Sequence, residues 1–405
     1  MIQSASPFTR KPVSWATRRT LLSTGHDTLS GREGKVACNF RFRYVLCLPY
    51  EGLSVGGSLN RSAIAVCEQP SDNGLTAMAC SGELVVDYGI MTYDFQDRFN
   101  IGDYVQSIAA RQFLPRVDRY VCRESLHEYA GPDMKLILNG HFMRFPPNWP
   151  PSARIHPLFI SFHINPKRAA GMLVEKGVEY LKKHGPIGCR DLSTLELLKG
   201  RGIEAYFSSC LTLTLGNRYR HQSDESIFFV DVLFRYPTWR SVFRSLNSFQ
   251  KSLTSGKIAL LGRRKRLLDR LFGRDIVQAA EHITHEYPAR EFPTEDSRFE
   301  LADRILKRYE KARLVVTSRI HCALPCVAMG TPVVFVNGGF QQAQSGRFTG
   351  NSRLFNTVEI LPNGCIETDC DLDHIRKSMS APVRTEHLEY VEGLAARCRQ
   401  FAGDS

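Results

Sequence analysis

Arg319 and His321 lie where an apolar run turns into a helix, in the stretch Leu314-Val315-Val316-Thr317-Ser318-Arg319-Ile320-His321. The run continues to Met329, is interrupted by Gly330-Thr331-Pro332, and resumes as Val333-Val334-Phe335-Val336. That order reads as strand, tight turn, short helix and second strand, with Arg319 and His321 on the first turn of the helix. A helix N-terminus behind a buried parallel strand presents unpaired backbone N–H groups and partial positive charge. A guanidinium and an imidazole added there make an anion site, and imidazole can also supply a proton near neutral pH.

Other polar residues fall at the ends of predicted strands on the same edge. Asn100, Gly102 and Asp103 mark a turn into a helix, where an Asn or Asp is ordinarily a cap and a glycine an ordinary turn residue. Asn139-Gly140-His141 ends one strand and Ser161-Phe162-His163 the next. Each histidine taken singly is more often structural, but their recurrence at one edge favours function. Gly185-Pro186-Ile187-Gly188-Cys189-Arg190-Asp191 ends another strand. Arg190 there either forms a surface pair with Asp191, which contributes little, or faces Arg319 across a cleft. In the second case the two planar forks hold a dianion through paired hydrogen bonds.

Such strand ends need a scaffold that gathers them. From residue 84 onward strands and helices alternate, the pattern of a doubly wound α/β architecture. Strands are expected at residues 84–92, 135–138, 158–160, 186–189 and 226–231. Helices are expected at 103–114, 168–183, 192–199 (closed by Gly200 or Gly202) and 296–311, the last with an acidic start. The expected organisation is an N-terminal extension over residues 1–83, partly disordered, then two Rossmann-like domains at 84–216 and 217–405 facing across a cleft. Ligands of such sheets bind outside the carboxyl ends of the strands.

Composition sets bounds on this reading. The chain has 405 residues, 43% hydrophobic and 23% charged, enough for two packed cores. A net charge of +12 suggests an anionic substrate, an acidic polymer or a negative membrane surface. No apolar run approaches spanning length, and with no signal or anchor segment a cytoplasmic enzyme is expected, with peripheral contact at the inner face of the membrane as an extension of that view. The twelve cysteines are scattered without a disulfide framework, so reduced thiols are expected. Cys322 and Cys326 share a helix face, and Cys365 and Cys370 flank a turn; neither spacing is that of a zinc knuckle, so no metal is expected. Arg263-Arg264-Lys265-Arg266 reads first as a solvated helix face and second as a contact for an anionic polymer or lipid-linked acceptor. Nucleic acid is not expected, because no aromatic interleaving accompanies the cluster.

In their order and spacing, Asn100-x-Gly102-Asp103-x-x-Gln106, Asn139-Gly140, Ser161-Phe162-His163, the segment from Gly185 to Asp191, and Ser318-Arg319-Ile320-His321 together resemble the polysaccharide pyruvyl transferase family, over roughly residues 86–360. The resemblance implies a GT-B-like fold and transfer of pyruvate from phosphoenolpyruvate onto sugar hydroxyls as a cyclic ketal. It requires no cofactor beyond phosphoenolpyruvate as co-substrate, and the partner is a sugar or lipid-linked oligosaccharide acceptor. The family's donor-binding arginines match Arg190 and Arg319, with Ile320 and His321 completing an Arg-hydrophobic-His element. Asn100, Gly102, Asn139, Gly140, Ser161, His163 and Ser318 are carried over as substrate-binding. His321 is the first choice for the acid that protonates the methylene carbon, and Asp103 the second, as acid or as base. The rival readings are a nucleotide-sugar glycosyltransferase using the same cleft, and a catalytically silent binder of acidic polysaccharide.

Overall fold

Buried runs of aliphatic and aromatic residues make the strands, and the polar residues at their carboxyl ends are left to face outward from the sheet edge. The computed structural model describes residues 86–403 except 224, 339–348 and 362, together with short strand pieces at Ala65–Val66 and Ala79–Cys80. Most of the expected 1–83 extension lies outside the described residues.

The first half contributes β1 (Asp87–Thr92), β2 (Arg98–Asn100), α1 (Ile101–Arg111), β3 (Arg119–Cys122), β4 (Met134–Phe142), β5 (Ile155–Ile164), α2 (Ala169–Met172), α3 (Glu175–Lys183), β6 (Ile187–Cys189), α4 (Leu192–Lys199) and β7 (Ala205–Phe207). Six of its strands form a wholly parallel sheet in the order β3-β1-β4-β5-β6-β7. The second half contributes β8 (Ile227–Val230), α5 (Trp239–Val242), α6 (Leu246–Thr254), α7 (Arg263–Phe272), α8 (Arg274–Ala279), β9 (Glu281–Ile283), β10 (Glu286–Pro288), α9 (Glu295–Glu310), β11 (Leu314–Thr317), α10 (Ile320–Met329), β12 (Val333–Gly338), β13 (Asn356–Ile360), β14 (Ile366–Thr368), α11 (Leu372–Ser378) and α12 (Leu388–Ala402). Its sheet runs β9-β8-β11-β12-β13-β14, parallel except for the last pair.

The strand order reverses beside β1 in one sheet and beside β8 in the other, and such switch points are where mixed α/β folds open a crevice. The two sheets are stitched together in two ways. β2 pairs antiparallel with β10, Asn100 opposite Glu286 and Phe99 opposite Tyr287, and the N–H of Ile101 donates to the carbonyl of His285 at 2.8 Å. A continuous hydrophobic core then runs from Ile90, Tyr104 and Leu138 through Leu213 and Leu215 to Ile305, Val315, Leu324 and Phe335. A second core covers the far face of the second sheet with Phe229, Val316, Leu271 and Phe272.

Local chemistry explains most element ends. α9 opens on a capping box between Thr294 and Ser297, carries Glu295 and Asp296 in its first turn and Lys307 and Arg308 in its last, and buries Phe299, Ala302, Ile305, Leu306 and Tyr309 along one face. α4 ends at Gly200 in ordinary right-handed geometry, and the reversal is made by Gly202 at φ +65°. The helix expected over residues 168–183 is broken: Val174 is extended, and a Cβ on Gly177 would lie 2.0 Å from the carbonyl oxygen of Met172. Its amphipathic spacing hides this close approach of backbone to backbone. Among the described residues no helix is long and apolar enough to cross a membrane, and the cysteines from Cys122 to Cys398 are free.

Residue 216, where a hinge was expected, is a packing position. It lies in the 3-10 turn Leu211–Asn217, and a Cβ there would sit 2.1 Å from the carbonyl oxygen of Ala328 in α10. Gly216→Ala should therefore cost about 1–3 kcal/mol through overpacking. Gly393→Ala, in α12 with nothing within 4 Å of the added carbon, should instead gain about 0.5–1 kcal/mol by removing a helix-interior glycine. Urea unfolding of the two variants checks this: the midpoints should move in opposite directions with unchanged slopes.

Candidate active site

The carboxyl ends of both sheets converge on a cavity of about 230 Å³ lined by Asn100, Gly102, Asp103, Arg123, His141, His163, Arg190, His285, Arg319, Ile320 and His321. Each side chain follows a strand end or sits in a helix's first turn. Asn100, Gly102 and Asp103 come from the β2–α1 junction, Arg123 follows β3, His141 and His163 lie near the ends of β4 and β5, and Arg190 follows β6. His285 follows β9 and Arg319 follows β11. Two helix N-termini meet here because position 102 has no side chain. A Cβ on Gly102 would lie 3.2 Å from the Cβ of His321, so α1 and α10 approach tip to tip, directing the positive ends of both helix dipoles to one place.

Asn100 is both the cap of α1, its Oδ1 accepting from the N–H of Gly102 at 2.9 Å, and part of the cavity wall. Arg319 sits at the N-cap position of α10, with extended backbone, one residue earlier than expected. Its Nε donates to Asp231 Oδ2 at 2.8 Å and its Nη2 to Glu286 Oε1 at 3.2 Å, and its guanidinium lies 4.0 Å from the centre of the Phe234 ring. Two carboxylates and an aromatic face thus brace it.

Arg190 has a different environment. Its side chain is 4% exposed; Nη1 lies 3.3 Å from Gln106 Oε1 and 3.4 Å from His321 Nε2, and the nearest carboxylate, Asp191, is 3.9 Å from its Nε. That Nε is buried without a hydrogen-bond partner. A guanidinium cannot accept, so His321 accepts through Nε2 in this arrangement. A buried cation with an unsatisfied donor is costly, and an anion in the cavity would remove that cost.

Asp103 faces these cations, yet burial pushes its carboxyl above the ordinary range and Glu286 adds to the shift, against the pull of Arg123, Arg190 and Arg319. Asp191 goes the other way. Burial opposes its ionisation, but hydrogen bonds from His163 and Ser193 and the charge of Arg190 bring it below its ordinary value. Its Oδ2 is 2.6 Å from His163 Nδ1, and its Oδ1 caps α4 through the N–H of Thr194 at 2.9 Å. The imidazole is therefore fixed by an ionised partner, the arrangement that orients a general base.

Four residues read as substrate-binding stand behind the wall and hold it up. Ser318 is fully buried, bonded to the carbonyl of Val336 at 2.5 Å and to the N–H of Leu233 at 2.9 Å. Asn139 donates to the carbonyl of Gln106 at 2.9 Å, tying β4 to α1. Gly140, at φ +94°, leaves the space that Gln106 fills, since a Cβ there would lie 2.5 Å from Gln106 Oε1. Ser161, at φ +56°, is tied through its N–H to Ser208 Oγ at 3.1 Å. Arg123 and His285 line the cavity and were missed from sequence, as were the braces Asp231 and Glu286. Arg123 is paired with Glu124 at 2.9 Å and lies over the Tyr93 ring, and His285 is bonded to Tyr309 at 2.8 Å. Both follow strands of three or four residues, too short to show a pattern.

The raised carboxyl of Asp103 has a consequence for stability. A group whose pKa is higher in the folded state binds its proton more tightly there, so its contribution is fully present below the unfolded value and is lost as pH rises through the folded one. Asp103→Asn removes that dependence. The melting temperature of wild type relative to this variant should fall as pH rises from the ordinary carboxylate range towards neutrality, and a pH series of thermal melts measures it. A gap that does not change with pH would contradict the buried-carboxyl reading.

The family model described as polysaccharide pyruvyl transferase matches residues 100–339, more than half of the chain. Comparison with the curated proteins gave no match. A crystal structure of an uncharacterised protein from Klebsiella pneumoniae is similar at 12% identity, covering 64% of this chain and 87% of that one, with a TM-score of 0.34, too low to carry an argument about fold or function.

Proposed function

Because the chain belongs to the polysaccharide pyruvyl transferase family, we propose that it moves pyruvate from phosphoenolpyruvate onto two hydroxyls of a sugar in a surface or extracellular polysaccharide precursor, forming a cyclic ketal and releasing phosphate. The observation that carries this reading is Arg190: a buried guanidinium with an unpartnered Nε, in a cavity where two helix N-termini meet. Phosphoenolpyruvate brings a phosphate and a carboxylate, and the two groups would be held by Arg190 and by the α10 N-terminus with Arg319. The residues span two Rossmann-like halves dividing near residue 216, a GT-B-like plan. A cavity of about 230 Å³ falls below the roughly 300–1,000 Å³ of sites for drug-sized ligands. That size favours a three-carbon phosphoester over a nucleotide sugar.

The chemistry uses one proton at carbon and leaves two from the acceptor. Asp103 is assigned the acid, in place of His321, because burial already raises its carboxyl and a bound anion adds to that shift. Its proton goes to the methylene carbon, and the central carbon becomes electrophilic. The first sugar hydroxyl attacks there and gives its proton to His163, which Asp191 holds. The bond from the central carbon to the phosphate oxygen then breaks, phosphate leaves carrying the proton taken up by His163, and the second hydroxyl closes the ring, its proton restoring the Asp103 carboxyl. His321 and Arg190, 3.4 Å apart with the imidazole accepting, part when the donor arrives, and both turn to the phosphate.

In a thermal-shift series phosphoenolpyruvate should stabilise the protein, by about 2.7 kcal/mol at a concentration one hundred times its Kd. Stabilisation by a nucleotide sugar instead would overturn the proposal in favour of a glycosyltransferase. Arg190→Lys keeps the charge but loses the fork, and should lower acceptor-dependent phosphate release by about 10²–10³-fold. Asp103→Asn and His321→Ala should both abolish turnover, but only the former should retain stabilisation by phosphoenolpyruvate. Mass spectrometry of oligosaccharides incubated with phosphoenolpyruvate tests the ketal product directly.

A further inference from the structure

Residues 232–268 contain nine Lys or Arg and no Asp or Glu, so one short segment holds most of the chain's +12 excess. The same segment carries the densest exposed apolar surface among the described residues: Leu246 is 83% exposed, Trp239 64%, Leu253 59% and Phe243 55%. The aromatic rings are ordered on each other. Trp239 stacks on Phe243 with centroids 5.6 Å apart and planes 10° from parallel, and Phe243 stacks on Phe249 at 5.4 Å. Exposed Arg244, Lys251, Lys257 and Arg266 lie among and beyond these apolar residues, and an apolar pocket of about 270 Å³ opens beside Trp239.

We infer that α5, α6 and the start of α7 form a platform that docks on an anionic lipid bilayer. Large apolar patches on soluble proteins mark interaction surfaces, and charge selects among the occupants. A second copy of this chain would bring the same basic face against itself. Residues 1–64 also carry more Lys and Arg than Asp and Glu, a charge that does not complement this face. An acidic polymer would match the charge but has no use for Leu246 and Leu253. A bilayer interface satisfies both: anionic headgroups for the cations, the interfacial region for Trp and Phe, and acyl chains for the leucines.

The platform adjoins the active site. It follows β8 through Phe234, whose ring lies under Arg319. A cleft of about 670 Å³ lies between Arg98 of β2 and residues Thr238, Ser241, Phe243 and Arg244, and β2 ends at Asn100 of the cavity. Docking would bring the site close to acceptors anchored in the lipid. The inference stands on the surface itself and does not depend on the identity of the donor.

Flotation with vesicles tests it, using the full chain and two compositions: phosphatidylcholine alone, and phosphatidylcholine mixed equally with phosphatidylglycerol. The protein should float with the mixed vesicles only and be released by high salt, since headgroup attraction is screened. The double variant Leu246→Ser/Leu253→Ser and the charge reversal Arg244→Glu/Lys251→Glu should each weaken binding by roughly tenfold or more, with unchanged melting temperature because the side chains are exposed. Trp239 emission should shift to the blue on mixed vesicles, a change absent in Trp239→Phe. Failure to float, equal flotation with both compositions, or a self-association in solution that the leucine variant abolishes would each overturn the proposal.

Discussion

The site depends on the close approach of two helix tips at position 102. A Cβ placed there would stand 3.2 Å from the Cβ of His321, which measures how closely the tips of α1 and α10 are pressed together. Each helix belongs to a different sheet, and each directs the positive end of its dipole at the same small volume. A methyl group there would press on Asn100 Oδ1 and on the Cβ of His321, at 3.1 and 3.2 Å, and shift them by a few tenths of an ångström. The neighbouring contacts reinforce the approach: the β2–β10 pair and the bond from the N–H of Ile101 to the carbonyl of His285 hold the same junction from below.

Arg319 and Arg190, which line the same cavity, have opposite surroundings. Arg319 is held by Asp231 and Glu286 and lies on Phe234, so its position is set before anything binds. Arg190 has amide, imidazole and a distant carboxylate around it and keeps a nitrogen unbonded. The first is a fixed reference charge, and its net attraction for an anion is reduced by its own carboxylates. The second carries the stronger demand for one. Asp103 sits within the field of both and still resists ionisation, because loss of hydration outweighs the nearby positive charge.

What was legible in the sequence was the part encoded locally. The buried strand Leu314–Thr317, the helix behind it and its closure at Gly330, φ +81°, follow from two apolar runs parted by a polar turn and ended by one glycine. The cap at Asn100 and the strand ends at His163 and Arg190 follow likewise. Long-range pairing was not legible. Nothing near Arg319 announces Asp231 or Glu286, which are 88 and 33 residues away, and Arg123 and His285 follow strands too short to carry a period. Residues such as Ser318 and Gly140 were placed at the right edge, but whether a side chain faces the cavity or the wall behind it depends on register, which sequence spacing alone leaves open. The basic run at residues 263–266 was visible as charge. Its apolar neighbours at 239–253 gained meaning only once their exposure was known.

Gly216 and the core shared by the sheets bear on timing. The carbonyl of Ala328 is pressed against residue 216, and apolar side chains are continuous from Leu138 to Phe335, so the two halves share one packed interior. The eleven lining residues are gathered by folding itself, so the entropy of bringing them together is met then and not at each binding event. A small ligand entering such a cavity meets side chains already in place, so its affinity is not reduced by the cost of ordering them.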